Sequence, residues 1–330
     1  MATNSRNRKV VVVTGASGGL GREVAVQFAR RGANVAVAAR RAEALEETAR
    51  RCNAAGGESI AVVTDVTDEA QVQRLAAAAL ARWGRIDVWV NNAGVTLFGS
   101  LIDVPFEAHR RVLETNVYGA MFGARAAVPA FRRQHSGVLI NVGSILSKVG
   151  QPFVPSYVIS KFALRGLSEV LRVELAEEPH VHVCTVMPYA IDTPHFESGA
   201  NEVGREARGM PPIQSPEAVA RAIVRLAYRP RRERHVPRIA ALGLALHALL
   251  PATTELLLLR ALRAWHFDDK PEQRKPGNLY RPEPESSVHG HRRPRLGLPA
   301  FLRWTMRELG RIERERLRRR VAPWMAAPQV

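Results

Sequence analysis

Lys9-Val10-Val11-Val12-Val13-Thr14-Gly15-Ala16-Ser17-Gly18-Gly19-Leu20-Gly21 is the stretch that decides the fold. Its apolar run ends at Val13 and reads as a buried strand. The segment Arg22–Arg31 behind it carries Val24, Val26, Phe28 and Ala29 with helical periodicity. Between them lie four glycines in seven residues. Alone they would make a flexible turn; between a strand and a helix they predict a phosphate-binding turn. Glycine lets the backbone approach a pyrophosphate closely, and the helix start offers unpaired N–H groups and the positive end of its dipole. Gly15, Ser17, Gly19, Leu20 and Gly21 are therefore candidate cofactor contacts.

Outward from this turn, strand and helix signals alternate. Gly32–Ala39 reads as a turn and second buried strand, Ala42–Asn53 as a helix, and Ser59–Thr64 as a third strand followed by Asp65-Val66. Glu69–Trp83 is an alanine-rich amphipathic helix, and Ile86–Val90 a fourth strand running into Asn91-Asn92-Ala93-Gly94. Long helical pattern covers Glu107–Phe131, Val138–Val142 reads as a strand ending in Gly143-Ser144, Tyr157–Ala176 as a helix and His182–Met187 as a sixth strand. Apolar strands alternating with helices predict an α/β fold, a Rossmann-type doubly wound parallel sheet with helices on both faces. After Pro188 an irregular, Gly/Pro-rich stretch to about Pro216 reads as a mobile substrate cover.

The second strand ends in Ala39-Arg40-Arg41, where a dinucleotide site for an unphosphorylated ribose would place an acid. Arginines there suit a 2′-phosphate, so NADP(H) is expected over NAD(H); the plainer reading leaves both solvated at a helix start. Asp65 either holds the adenine amino group or caps the next turn.

Tyr157 and Lys161 lie four residues apart, on one face of the predicted helix. A neighbouring cation favours the phenolate and is expected to lower the tyrosine pKa, making an acid/base at a carbinol oxygen. Asn116, amid apolar neighbours, needs a partner whether structural or catalytic. Ser144 stands at a strand's C-terminal end, where open α/β sheets bind ligands.

The set Thr14-Gly15-x-x-x-Gly19-x-Gly21, Asn91-Asn92-Ala93-Gly94, Asn116, Ser144 and Tyr157-x-x-x-Lys161 resembles the short-chain dehydrogenase/reductase family over about residues 8–230. The serine precedes the tyrosine by thirteen positions; Ser147 is near but fits that spacing less well. The resemblance implies hydride transfer between a nicotinamide and a carbonyl or secondary alcohol carbon. It implies Tyr157 as general acid/base, Lys161 on the nicotinamide ribose, Ser144 on the substrate oxygen, and Asn116 holding a water that links Lys161 to solvent. It also implies cofactor contacts from Asn92, Ala93, Gly94, Val66, Pro188, Ile191 and Thr193, and a homodimer or homotetramer. One departure is plain: Tyr189 follows Pro188 where the family usually has glycine. Tyr189 and Phe196, with Met210, Pro211, Pro212 and Ile213, point to a moderately hydrophobic substrate.

The 330 residues, 46% hydrophobic, suit one large core with an addition; we place the catalytic domain at residues 1–250 and a mostly helical, basic extension at 251–330. Two distant cysteines, Cys52 and Cys184, give no disulfide framework, and no metal site is expected, His289-Gly290-His291 lacking a further ligand set. A reducing, cytoplasmic setting is expected, with no secretory leader ahead of Val10. Of the net charge of +17, residues 221–330 carry +14. Arginine-favouring codons would account for this; a lipid surface would use it. Ile239–Leu250 and Glu255–Trp265 are apolar but fall short of the roughly 18 residues of a spanning helix. A core or dimer contact is the plain reading and an interfacial, membrane-resting helix the sharper one. Lys270–Pro299 reads as a wrapping linker, and Phe301–Val321 as an arginine-rich amphipathic helix with Leu302, Met306, Leu309, Ile312 and Leu317 on one side. No base-reading motif supports nucleic acid. The competing class is a non-catalytic NADP-binding scaffold or redox sensor that engages a partner or membrane through its last helix.

Overall fold

The computed structural model describes residues 8–284, 287–292 and 297–325, the last ten of them without side chains. In chain order the elements are β1 (Val10–Thr14), α1 (Gly19–Ala29), β2 (Asn34–Ala39), α2 (Ala42–Ala54), β3 (Ser59–Val63), α3 (Glu69–Trp83), β4 (Val88–Asn91), β5 (Leu97–Phe98), α4 (Phe106–Leu113) and α5 (Gly119–Gln134). They continue with β6 (Gly137–Val142), α6 (Pro155–Glu174), β7 (Val181–Pro188), α7 (His195–Ser198), β8 (Ala200–Asn201), β9 (Arg205–Ala207), α8 (Pro216–Tyr228) and β10 (Glu233–Val236). The last are α9 (Ala240–Leu249), α10 (Pro251–Trp265), β11 (Phe267–Pro271) and α11 (Leu298–Met325).

Seven strands form one parallel sheet in the order β10-β7-β6-β4-β1-β2-β3. Because a strand's side chains alternate between faces, β1 feeds two cores. Val11 and Val13 join Val35, Val37, Val88, Val90 and Ile140 in the cluster that receives Val24 and Phe28 of α1 and Val219 and Ile223 of α8. Val12 joins Ala36, Trp89 and Leu139 in the cluster filled by Leu75 of α3 and Phe131 of α5. Burial on both faces is why these strands read as continuous apolar runs. The strand order reverses between β1 and β4, so a crevice opens at their C-terminal ends.

Some expectations need correction. The seventh strand, β10, and its preceding helix α8 were not expected; β10 is Glu-Arg-His-Val on the sheet edge, only its last residue buried, and too polar to read as a strand. The stretch expected to be irregular to about Pro216 holds α7, β8 and β9, with β8 paired to β5 and β9 antiparallel to β11. The long helical pattern before β6 is broken by a π-helical turn, Glu114–Tyr118, that contains Asn116. On α11, Leu302 and Met306 are exposed while Ile312 is buried, so the expected apolar stripe does not face one way; Leu317 lies outside the described side chains. Among the described residues no helix is long and apolar enough to cross a membrane.

Candidate active site

The glycine turn closes on backbone, not on side chains. A Cβ on Gly15 would sit 2.7 Å from Ala93 Cα, and the residue has φ of +67°, which L side chains rarely adopt. A Cβ on Gly21 would overlap the Gly15 carbonyl oxygen and lie 2.5 Å from the Asn92 amide. Asn92 donates from Nδ2 to the carbonyls of Thr14 and Gly15, and Thr14 Oγ1 accepts from the N–H groups of Asn92 and Ala93. The loop after β4 is thereby fastened to the turn after β1. No side chain caps α1 behind Gly18, so apart from the Gly19 N–H, which donates to a backbone carbonyl of the C-terminal extension, the helix start keeps donors for an anion.

A cleft of about 350 Å³ runs from this turn across the sheet's C-terminal edge. Every candidate cofactor contact lines it, as do Ser144, Tyr157, Lys161, Tyr189, Phe196 and Met210; Asn116, Pro211, Pro212 and Ile213 do not. Val66 is a buried wall packed on the α3–α5 side.

At the glycine-turn end, Arg40 and Arg41 are neither solvated nor idle. Arg40 donates to the carbonyls of Asn278 (2.7 Å), Tyr280 (3.2 Å) and Leu279 (3.4 Å). Arg41 donates to those of Glu283 and Pro284 and to Ser17 Oγ. The Gly19 N–H donates to the Ser287 carbonyl at 2.8 Å. The extension thus crosses the Arg40–Arg41 end of the cleft, anchored by Leu279, which is buried beside Val95 and Val112. Asp65 caps its own turn through Thr67 and meets Arg111 at 3.3 Å, while the N-cap of α3 is Asp68. Burial would raise the Asp65 carboxyl, but the Thr67 bonds and the charges of Arg111 and Arg40 hold it below the usual range.

At the other end, Ser144 leaves β6 in extended conformation and its Oγ accepts from the Leu146 N–H, while Ser147 is fully buried and turned back onto the Ser144 N–H. Lys161 is buried, its Nζ 5.2 Å from the Tyr157 ring centre and donating to the Val142 carbonyl at 2.9 Å. The expected lysine-driven fall of the phenol pKa is not found. Burial governs both groups, pushing Tyr157 up to about 12 against the pull of the Ser144 hydroxyl, and Lys161 down to about 8. The Asn116 side-chain amide is engaged within the protein. Its Oδ1 accepts from the Val95 N–H, and its Nδ2 donates to the Val95 carbonyl and to Ser160 Oγ. It ties the loop after β4 to α6.

Lys161 carries a stability consequence. Between pH about 8 and its unfolded value near 10.5 the unfolded chain binds more protons than the native one, so the lysine's burial cost declines as pH rises through that window. Lys161→Met removes a charge whose burial costs on the order of 3 kcal/mol and leaves the Val142 carbonyl unpaired at about 1–2 kcal/mol. Thermal melts are expected to show the variant more stable at pH 7, with the advantage shrinking by pH 9.5. A variant less stable at pH 7 would contradict this.

Three residues of the cleft had no signal in the sequence. His195 lies with its ring 5.6 Å from that of Tyr157, and burial with the nearby Lys161 charge lowers it to about 4. His266 stands among Phe98, Phe196 and Phe267; burial lowers it to about 4 against its bond to the Arg208 carbonyl, which fixes the proton on Nδ1 and leaves Nε2 unpaired. Phe98 itself is a buried wall. Each comes from a short or irregular element, where periodicity has nothing to read. Tyr189 acquires a reason: it packs against Leu258, Leu262 and Trp265 of α10, so the residue replacing glycine anchors the extension. His289 meets Glu217 at 2.9 Å and Asp192 at 3.9 Å.

The glycine cradle, the uncapped helix start and the buried Tyr–Lys pair fit a nicotinamide dinucleotide lying along the cleft. Comparison with known proteins agrees. The profile described as short chain dehydrogenase matches residues 9–203. The chain is 38% identical over 276 residues to the "uncharacterized oxidoreductase YxnA" of Bacillus subtilis, covering 82% of this chain and 78% of that one. Among solved structures it is similar to a short chain dehydrogenase/reductase from Burkholderia phymatum in complex with NAD (TM-score 0.66, 27% identity, 75% of this chain and 95% of that one). It is also similar to an alcohol dehydrogenase from the archaeon Thermococcus sibiricus complexed with 5-hydroxy-NADP (TM-score 0.61, 28% identity, 69% and 95%).

Proposed function

The chain belongs to the short-chain dehydrogenase family, and from that premise we propose that it is an NADP(H)-dependent oxidoreductase acting on a ketone or aldehyde and the matching alcohol. The observation that carries the reading is the convergence of Ser144, Tyr157 and Lys161 on one cleft beside an uncapped helix start. When bound, the nicotinamide supplies or accepts the hydride at the carbinol carbon. In reduction the Tyr157 hydroxyl gives its proton to the carbonyl oxygen; in oxidation the phenolate takes the alcohol's proton. The Ser144 hydroxyl donates to that oxygen as charge grows on it. The Lys161 ammonium, on the same face of α6, would offset the phenolate and would hold the ribose hydroxyls of the bound cofactor. Asn116 is a positioning residue that holds Val95 and Ser160.

The substrate end is walled by Phe98, Tyr189, Phe196 and Met210, which favours a moderately hydrophobic compound. Turnover confined to small charged hydroxy acids in a substrate panel would count against this. Exposed Tyr118 and Met121, with Ile159, Phe162, Val170 and Val173 on α6, support a homodimer or homotetramer through this face.

NADP preference rests on Arg40 and Arg41 exchanging carbonyl partners for a 2′-phosphate, since charge-assisted bonds are the stronger. Arg40→Ala with Arg41→Ala is expected to weaken NADPH binding about 10- to 100-fold in a fluorescence titration, at about 1.5–3 kcal/mol for a charged hydrogen bond, and to leave NADH nearly unchanged. Equal losses for both cofactors would assign the arginines to holding the extension alone.

A further inference from the structure

We infer that α9 is an interfacial helix that seats the protein on an anionic lipid surface. Its ten residues, Ala-Ala-Leu-Gly-Leu-Ala-Leu-His-Ala-Leu, are apolar on every side except at His247, and none is buried. Ile239, Leu242 and Leu249 are 66%, 68% and 78% exposed, and Leu246 and Leu250 stand out beside them. A helix apolar all round belongs inside a core or a membrane, and here no core receives it. It contacts β10 at its start and α10 behind it, and the opposite side faces outward.

The charge next to it selects the occupant. Residues 225–254 contain six arginines (Arg225, Arg229, Arg231, Arg232, Arg234 and Arg238) and one acid, Glu233. Glu233 is already claimed by Lys148 at 2.6 Å and Arg165 at 2.9 Å. None of the six arginines pairs with an acid among the described residues. Arg225, Arg231 and Arg238 are near enough to act on the Arg234 guanidinium, which makes them a cluster at the foot of α9. An uncompensated basic collar at the base of an exposed apolar helix is complementary to phosphate headgroups above acyl chains. A second copy of the chain, at a net charge of +17, would on balance add positive charge to that collar. Ten residues are too short to span, so the helix would lie in the interface. The same hairpin turns its inner side to the cleft: Leu258 and Leu262 of α10 pack with Tyr189 and Met210. Seat and substrate wall are one structural unit.

The test is co-sedimentation of the full chain with vesicles of phosphatidylcholine containing 30% phosphatidylglycerol, beside pure phosphatidylcholine vesicles. Binding to the anionic vesicles is expected, falling about tenfold or more on pure phosphatidylcholine and again in Leu242→Glu with Leu249→Glu. Those side chains are exposed, so unchanged thermal melting and cofactor titration establish that the variant is folded. No binding by the wild-type chain, or equal binding by the folded variant, would overturn the inference. Concentration-dependent self-association lost in the variant, without vesicle binding, would also overturn it and give the face to a second copy. None of these readouts depends on turnover, so the lipid seat and the oxidoreductase reading fail separately.

Discussion

Tyr157→Phe is expected to lower turnover by about 10²- to 10⁴-fold, the span over which a positioned acid/base contributes, while the dissociation constant for NADPH stays within about threefold. The substitution removes one oxygen and keeps the ring that packs beside His195 and under the Lys161 ammonium, so the walls of the cleft remain. Removing the phenol also removes a group that burial holds protonated to about pH 12, and no other hydroxyl at that point replaces it. Ser144 is the nearest hydroxyl, but its Oγ is tied to the Leu146 N–H and its ordinary pKa is far too high to serve as the acid. Stopped-flow or steady-state rates with a responsive ketone, run beside a cofactor titration, make the comparison. Unchanged turnover would show that the proton comes from elsewhere.

Gly21→Ala is expected to act on the cofactor and the fold together. The new methyl group would overlap the Gly15 carbonyl oxygen and press the Asn92 amide at 2.5 Å. Neither partner can yield easily: Gly15 lies against Ala93, and Asn92 holds the Thr14 and Gly15 carbonyls. The start of α1 must therefore shift from the turn, moving the donors that would meet the pyrophosphate. Overpacking of this kind costs about 1–3 kcal/mol, and cofactor affinity is expected to fall at least about tenfold. Calorimetry and a titration on the same sample check both. A variant with wild-type melting temperature and affinity would mean that the turn is looser than its contacts indicate.

The sheet was legible because its strands are buried on both faces. β1 and β2 read as apolar runs, β6 and β7 as apolar runs interrupted only by Asn141 and by His182 and Thr185, and α3 was read with its true limits. β10 was not legible, since an edge strand buried at one residue presents a polar sequence. The glycine turn and the Tyr157–Lys161 pair that line the cleft were legible through local spacing. What local spacing does not carry is the arrival of distant segments. Nothing near Arg40 or Arg41 in sequence reveals that residues 278–284 lie across them. His266 reaches Phe98 and Phe196 only because β11 pairs with β9. Tyr189 looked like a departure that narrows the pocket, and is explained once α10 is seen against it. The pKa expectation failed for a related reason: helical spacing brings cation and phenol together, but how deeply both are buried is a property of the whole cleft.

The central claim, that the cleft binds a nicotinamide dinucleotide and uses it for hydride transfer, is tested most directly by a fluorescence titration with NADPH followed by addition of hydrophobic ketones. Saturable binding, one dinucleotide per chain and tighter than NADH, with the signal consumed when a ketone is added, is the predicted result. Absence of binding to either cofactor would contradict it.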